Sequence, residues 1–532
     1  MQFNIADLWE CVADAVPGND ALVCGDRRLT YSEADERATR LAHVLRDRGV
    51  GAGDHVALYL FNGIEYLEGM LAAFKLRAVP ININYRYVED ELRYVLADAD
   101  ATAVIAHQQF GPKLTAIRDG LPALHTFIAV ADGTDALFPD AIEYEAALAA
   151  AAPERDFDER SADDLYILYT GGTTGMPKGV MWRHEDLFFG ALGGGGAGAA
   201  AITRPEEIAE RAQTARTRCV PACPFMHGTA HWMAFAALFS GGAVIIPADH
   251  HFDPHALLRL VVAEEANFLV IVGDAFARPL VEALAAPEVA DLDLSSLRVL
   301  LSGGAILSPA VKQALVQHLP TVLVVDGYGA SETGGQGQSV TVAGSEIPTS
   351  PRFSVNDQTA VLGDDLQPLP AGMVGRLARR GSIPLGYYKD PDKTAATFPV
   401  VDGVRWSVPG DHAVVEADGT ISLLGRGSVS INTGGEKVYP EEVEAVLKAH
   451  ECVFDAVVVG VPDERWGERV VAVVQLRPGP ATTLEQLQDH ARSHLAGYKV
   501  PRGLVVVDTI VRSPSGKPDY RWARTTALES GR

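Results

Sequence analysis

The stretch YTGGTTGMPKGV, residues 169–180, decides how the rest of the chain is read. An apolar run, LYILYT (165–170), delivers the backbone into a loop holding Gly171, Gly172, Gly175 and Gly179. Glycines let a backbone bend sharply and turn its N–H groups toward an anion. Thr170, Thr173 and Thr174 add hydroxyl donors and Lys178 adds a cation, so the stretch reads as a cradle for a polyphosphate. It is not the usual P-loop, which needs Ser or Thr after Gly-Lys; here Pro177 precedes Lys178 and Gly179 follows it.

The runs around it repeat one pattern. HVALYL (55–60), TAVIAH (102–107), GAVIIP (242–247), NFLVIV (267–272), LRVLLSGG (297–304) and TVLVVDGYG (321–329) are short and apolar. Such runs fit strands buried on both faces of a parallel sheet. Helical patterns separate some of them. Ser32 is placed to cap a helix through Asp47, with Leu41, Val44 and Leu45 on one face and Gly49 past its end. The fold class is therefore α/β, with ligands expected at the carboxyl ends of strands. The character changes after Gly425. Pro440, Glu441 and Glu442 open a helix with Val443, Val446 and Leu447 on its face. Strands are expected at 456–461, 469–476 and 503–511, and a helix at 483–496. This tail predicts a small α+β domain.

Bulk properties narrow the function. The 532 residues exceed the roughly 250–300 at which one core stops growing, so at least two domains are expected. A formal net charge of −24 disfavours nucleic acid as a partner. Five cysteines, Cys11, Cys24, Cys219, Cys223 and Cys452, form no disulfide framework and suit a reducing cytosol. The start, MQFNIADLWE, lacks the features of a signal peptide, and no apolar stretch is long enough to span a membrane. A cytoplasmic location is expected. A competing pattern is Cys219, Cys223, His227 and His231, each four apart, which suggests a metal-bearing helix face; Pro221 and Pro224 argue against that helix.

Nearly end to end, the chain resembles the adenylate-forming superfamily of acyl-CoA synthetases, luciferases and peptide-synthetase adenylation domains. The resemblance rests first on residues 169–180. It implies an AMP-binding domain over 1–425, a hinge at 426–430 and a mobile lid domain over 431–532. DGYGASET (326–333) implies that Tyr328 stacks on adenine, that Ser331 and Thr333 reach the α-phosphate, and that Glu332, with Thr174, holds Mg²⁺. Asp326, Gly327 and Gly329 complete that nucleotide strand. SGGA (302–305) implies an adenine-side loop with Gly303, Gly304 and Ala305. Asp411 and Arg426 are implied ribose contacts. INTGGEKVYPEEVE (431–444) resembles the loop lining a pantetheine tunnel, with Gly434, Gly435, Glu436 and Lys437 toward coenzyme A. In RSPSGKPDY (512–520), Lys517 is implied to point at the carboxylate and the α-phosphate. PFMHGTAHW (224–232) places His227 at the acyl tunnel, with Trp232 and Gly304 lining it.

The reaction implied is ATP-dependent ligation of a carboxylic acid to coenzyme A through acyl-AMP, with a lid that rotates between the two halves. Two departures stand out. Gly171 replaces the usual Ser, and Val429 replaces the Asp or Lys usual at the pivot. Both put the efficiency of the first half-reaction in question. The sequence looks most like bacterial synthetases for fatty or polycyclic acids, and the Gly/Ala-rich segment 190–201 fits room for a bulky acyl group. Other readings stay open: an enzyme competent mainly in thioester formation from an acyl-adenylate, delivery of acyl-AMP to a carrier protein, or a nucleotide-binding scaffold. A homodimer is compatible with the sequence.

Overall fold

The computed structural model describes residues 1–532 apart from 137, 171–175, 196–199, 215, 349–351, 434–435, 464–465, 480–481, 514–515 and 531–532, and describes only the backbone at 426, 428 and 437. Three sheets position the site. An eight-stranded sheet has a parallel centre, with Leu165–Thr170 beside Val79–Asn82, His55–Tyr59 and Ala101–His107. Strand Lys178–Arg183 joins its edge antiparallel to Leu165–Thr170. Alternation along His55–Tyr59 sends Val56 and Leu58 to the core around helix Ile64–Lys75, and Ala57 and Tyr59 to the opposite core with Leu92 and Val95. Side chains that point alternately to both faces, with helices on each, require the apolar runs seen in the sequence.

The second sheet is a thirteen-stranded run. Strands Arg218–Pro221, Phe268–Ile271, Val299–Gly303 and Leu323–Ala330 are parallel neighbours within it. After Leu323–Ala330 the chain turns back as Gly334–Thr341, antiparallel, and the sheet continues into an antiparallel group that includes Val374–Arg379, Asp411–Val415 and Ile421–Arg426. The expected strands at 55–60, 102–107, 165–170, 242–247, 267–272, 297–304 and 321–329 are all present, within one to two residues at their ends.

The third sheet has five strands, all between Ile431 and Val507. It carries apolar clusters of its own on its two faces, one around Val443, Leu447 and Val458, the other around Val457, Val471 and Ala523. Helix Pro440–Lys448 buries Val443 and Leu447 as the pattern predicts, but Val446 is only half-buried; Glu444 and Lys448 are buried instead. The helix expected at 483–496 is shorter, Leu484–Arg492, and the strand expected at 503–511 is Gly503–Val507.

One local expectation is corrected, and one competing pattern is not formed. Helix Tyr31–Asp47 is capped by Thr30, not Ser32: Thr30 Oγ1 accepts from the Glu33 N–H (3.3 Å) and the Glu33 carboxylate accepts from the Thr30 N–H (2.8 Å). A capping box reads Thr-x-x-Glu, and TYSE (30–33) fits it two residues earlier than expected. The metal-bearing helix face does not exist. Cys219 lies in strand Arg218–Pro221, while His231 lies in helix Gly228–Phe239. Among the described residues, no group of three or more His, Cys, Asp or Glu is arranged to hold a metal. Among those residues, too, no helix is long and apolar enough to cross a membrane.

Candidate active site

The glycine-rich stretch spans a hairpin. Thr170 lies opposite Lys178 in the antiparallel ladder; Gly172, Thr173 and Thr174, with Gly171 and Gly175, fall outside the described residues. The Lys178 ammonium is bonded by the Asp390 carboxylate. Asp390 also caps helix Pro391–Thr397 by accepting from the Lys393 N–H (2.9 Å). The bond from Lys178, then that backbone N–H, holds the Asp390 carboxyl below the usual carboxylate range. With 42% of the Lys178 side chain exposed, the pair is open to exchange for a phosphate oxygen.

Strand Leu323–Ala330 sets Asp326 beside Ser302 and Gly327 beside Gly303, so the SGGA and DGYG segments run side by side. Gly304 takes φ +86°, and a Cβ there would lie 3.1 Å from Thr229 Oγ1. That position needs glycine for its backbone and for its approach to helix Gly228–Phe239, where Ala305 follows it. The Tyr328 ring lies 5.6 Å from Phe353. Gly329 permits the reversal that follows, since a Cβ there would fall 2.2 Å from the Gly334 carbonyl oxygen.

Glu332 is held at both ends. Tyr387 OH donates to Oε1 (2.9 Å), and Ser407 Oγ donates to the Glu332 backbone carbonyl (2.5 Å). Trp182 Nε1 donates to the Ser331 carbonyl (3.1 Å), tying this turn to the Lys178 strand. Oε2 of Glu332 has no hydrogen bond among the described residues, and a half-buried carboxylate oxygen is the donor type Mg²⁺ takes. Two residues read as nucleotide contacts have partners within the protein. Asp326 is buried and paired with Lys312 (2.6 Å); burial raises its carboxyl, and Lys312 opposes that rise. Thr333 is fully buried. Its hydroxyl accepts from the Ala330 N–H (2.9 Å) and donates to the Gly334 carbonyl (3.0 Å), so it holds the turn in shape.

Asp411 lies directly opposite Arg426 across an antiparallel pair. The chain then enters a single 3₁₀ turn, Gly427–Val429, in which Val429 is half-buried and Ser430 Oγ donates to the Gly427 carbonyl (2.7 Å). Beyond it, Thr433 pairs with Glu436 and Asn432 with Lys437 in a hairpin; Gly434 and Gly435 at its tip fall outside the described residues. Glu436 is exposed.

The residues expected at the acyl side gather on helix Gly228–Phe239. His227 flanks its start, with Nε2 buried and lacking a hydrogen-bond partner among the described residues. Burial, then the nearby Lys517 charge, pushes the His227 imidazole down to about 3, so it is neutral at pH 7. Beneath it runs a buried chain. Trp232 Nε1 donates to Tyr166 OH (3.2 Å), Tyr166 OH meets His231 Nε2 (2.6 Å), and His231 Nδ1 meets the Phe225 carbonyl (2.6 Å). A carbonyl only accepts, so Nδ1 carries the proton and Nε2 accepts from Tyr166.

The fold thus gathers Lys178, Tyr328, Glu332 and the Gly303–Ala305 loop, and sets Lys517 near enough for its charge to act on His227 across more than half the chain. The sequence reading missed Tyr387 and Asp390, which hold Glu332 and Lys178. The signal was the run GYYKDPDK (386–393), whose Asp-Pro reads only as a helix start.

A protein family described as AMP-binding enzyme matches residues 9–388, and one described as AMP-binding enzyme C-terminal domain matches residues 442–517. The chain belongs to the AMP-binding enzyme family. This AMP-binding enzyme is 50% identical to a 3-oxocholest-4-en-26-oate–CoA ligase from Rhodococcus rhodochrous, over 98% of this chain and 96% of that one. It is 47% identical to a medium/long-chain-fatty-acid–CoA/3-oxocholest-4-en-26-oate–CoA ligase from Mycobacterium tuberculosis, over 98% and 95% of the two chains. Its structure is similar to ATP-bound MatB from Rhodopseudomonas palustris, with TM-score 0.83, 26% identity and 100% of both chains covered. Apo MatB is similar with TM-score 0.74, again over 100% of each chain. The AMP-binding enzyme is an ATP-dependent acyl-CoA ligase that works through acyl-AMP, and enzymes of this kind use ATP, Mg²⁺ and coenzyme A.

Proposed function

We propose that this ligase activates medium- or long-chain fatty acids and bulky polycyclic acids. The observation that carries this reading is the 50% identity, over 98% of the chain, to a ligase named for a steroid acid. The acyl side agrees with it. Helix Gly228–Phe239 presents Thr229 to Gly304, where any larger residue would intrude, and it is rich in alanine.

In this reading each candidate residue has a role. Lys178 trades Asp390 for phosphate oxygens of ATP. Tyr328 and the Gly303–Ala305 loop frame adenine, and Asp411 with Arg426 takes the ribose. Glu332, with Thr174, would hold Mg²⁺, which neutralises phosphate charge when bound. Lys517 brings a fixed cation to the point where an anionic carboxylate attacks an anionic α-phosphate, releasing pyrophosphate. His227, neutral and unpartnered on Nε2, borders the acyl group. Residues 1–425 act as the nucleotide domain, 426–430 as hinge and 431–532 as lid. Rotation at the hinge withdraws Lys517 and presents Gly434, Gly435, Glu436 and Lys437 to the coenzyme A thiol, which then displaces AMP. We place the enzyme in the cytoplasm; light scattering of the purified chain tests whether it is a homodimer.

The test is thioester formation with ATP, Mg²⁺ and coenzyme A, read by mass spectrometry. Decanoate, palmitate and a cholanoate-type acid should outperform acetate and benzoate by at least tenfold in kcat/KM. Preference for the small acids overturns the reading.

A further inference from the structure

The helix Gly273–Leu284 faces the C-terminal sheet domain with three residues in sequence order. Its first turn starts under constraint: Gly273 takes φ +54°, and a Cβ there would lie 2.6 Å from the Ile306 carbonyl oxygen. Asp274 follows and is 4% exposed. Its Oδ1 accepts from the Ser308 N–H (2.8 Å), and its Oδ2 accepts from Arg278 Nη2 (3.1 Å). The same Oδ2 lies 3.7 Å from Lys448 Nζ. Lys448 ends helix Pro440–Lys448 on the far side of the hinge and is 5% exposed. A buried ion pair therefore joins the two parts of the enzyme. Further along the helix, Glu282 faces Arg477 (3.6 Å), but both are exposed and that contact is screened.

The buried pair is linked to the Lys517 loop. The Lys448 charge acts on Glu444 and Asp455 within its own domain as well as on Asp274. Asp455 is gripped by both arms of Arg512, Nε to Oδ2 and Nη2 to Oδ1, each at 2.7 Å. Arg512 Nη1 donates in turn to the Gly516 carbonyl (2.8 Å), one residue before Lys517. Gly516 takes φ +73° and rests on the first turn of helix Gly273–Leu284, where a Cβ would lie 3.2 Å from Ala275 Cβ. Neighbouring residues of one turn thus receive the two ends of this chain of contacts: Asp274 takes Lys448, and Ala275 takes Gly516.

Breaking a buried ion pair is costly when it strands a charge. Here it does not. If the domains part, Asp274 keeps Arg278 and the Ser308 N–H, and the Lys448 ammonium is released toward water with the charges of Glu444 and Asp455 still acting near it. The contact is strong enough to orient and cheap enough to release.

We propose that Asp274 and Lys448 are positioning residues, forming a releasable latch that seats Lys517 at His227 for acyl-AMP formation and opens for thioester formation. The latch rests on the reading that Lys517 serves the first half-reaction. Neither residue touches substrate; both act through Arg512 and Gly516 on where Lys517 stands. The relevant readout is therefore the ratio of the two half-reactions, which a general loss of structure would not change in one direction.

The experiment compares Lys448→Met, Asp274→Asn, the double variant and Lys517→Ala in the full chain. Decanoate-dependent ATP–pyrophosphate exchange reads the first half; thioester formation from presynthesised decanoyl-adenylate reads the second. Lys448→Met should lower exchange about tenfold or more, as a coupling of this kind is expected to do, and leave the second half within about twofold. Asp274→Asn should act in the same direction, and the double variant should lose no more than the worse single. Lys448→Arg should restore most of the exchange. Each single variant breaks the same contact from an opposite side, so one that folds poorly leaves the other to decide. Exchange within about twofold of the parent in a folded single variant, or equal loss in both halves, overturns the latch. If Lys517→Ala spares exchange, it is the underlying reading of Lys517 that fails.

Discussion

The buried chain under the acyl side offers the sharpest test of how this site is supported. Tyr166→Phe removes one oxygen and nothing else. In the parent, that hydroxyl accepts from Trp232 Nε1 (3.2 Å) and donates to His231 Nε2 (2.6 Å). His231 cannot compensate by moving its proton, because Nδ1–H is committed to the Phe225 carbonyl at 2.6 Å. His231 is 1% exposed and Tyr166 is 2% exposed, so water has no ready access. The variant leaves one buried donor and one buried acceptor unsatisfied, each costing about 1–3 kcal/mol. The expected loss is therefore about 2–6 kcal/mol, a large fraction of a typical folding stability. Urea unfolding followed by tryptophan fluorescence measures it, with attention to the first transition because a chain of several domains need not unfold in one step. Replacing Trp232 by Phe in the same background removes the orphan donor and should return about 1–2 kcal/mol. A loss below about 0.5 kcal/mol for Tyr166→Phe would refute the view that the three side chains form a closed hydrogen-bonded unit.

Tyr387→Phe frees Glu332 Oε1 from its 2.9 Å bond and should raise the Mg²⁺ concentration for half-maximal pyrophosphate exchange several-fold; an unchanged Mg²⁺ titration would show that Tyr387 does not hold Glu332 for the metal. Val429→Asp returns the polar residue usual at the pivot and should shift the ratio of the two half-reaction rates, and identical rates in both halves would remove Val429 from any account of domain rotation. Acid should destabilise the fold through its buried imidazoles. Burial pushes His184 and His231 down to about 4 from 6.5, so between those values the unfolded chain binds more protons than the folded one. Stability is then full above about pH 6.5 and falls as pH drops, by about 2 kcal/mol for each of the two at pH 5. Melting temperatures from pH 7 to pH 5 measure this, and replacing His184 by Gln should flatten the curve.

How much of this was legible in the sequence differs from residue to residue. The parallel strands could be read because burial on both faces demands unbroken apolar runs, and LYILYT, HVALYL and NFLVIV supply them. Lys178, Glu332 and Lys517 could be named because each sits in a motif with glycines or hydroxyls at fixed offsets. The cap at Thr30 was readable in TYSE and was assigned two residues late. Val446 was misread because a helical face of three apolar residues does not reveal that Glu444 and Lys448 share the burial.

The sequence by itself determined the α/β layers and the small C-terminal domain of helices and strands, since those depend on local periodicity and on the change in pattern after Gly425. Tertiary structure alone decided what holds the candidate site residues. Asp390 reaches Lys178 over 212 residues of chain, Tyr387 reaches Glu332 over 55, and Lys448 of helix Pro440–Lys448 meets Asp274. It also decided that Asp326 pairs with Lys312 and that Thr333 braces a turn. A carboxylate in a motif looks the same whether it faces a ligand or a buried lysine; the difference lies in what the folded chain places opposite it.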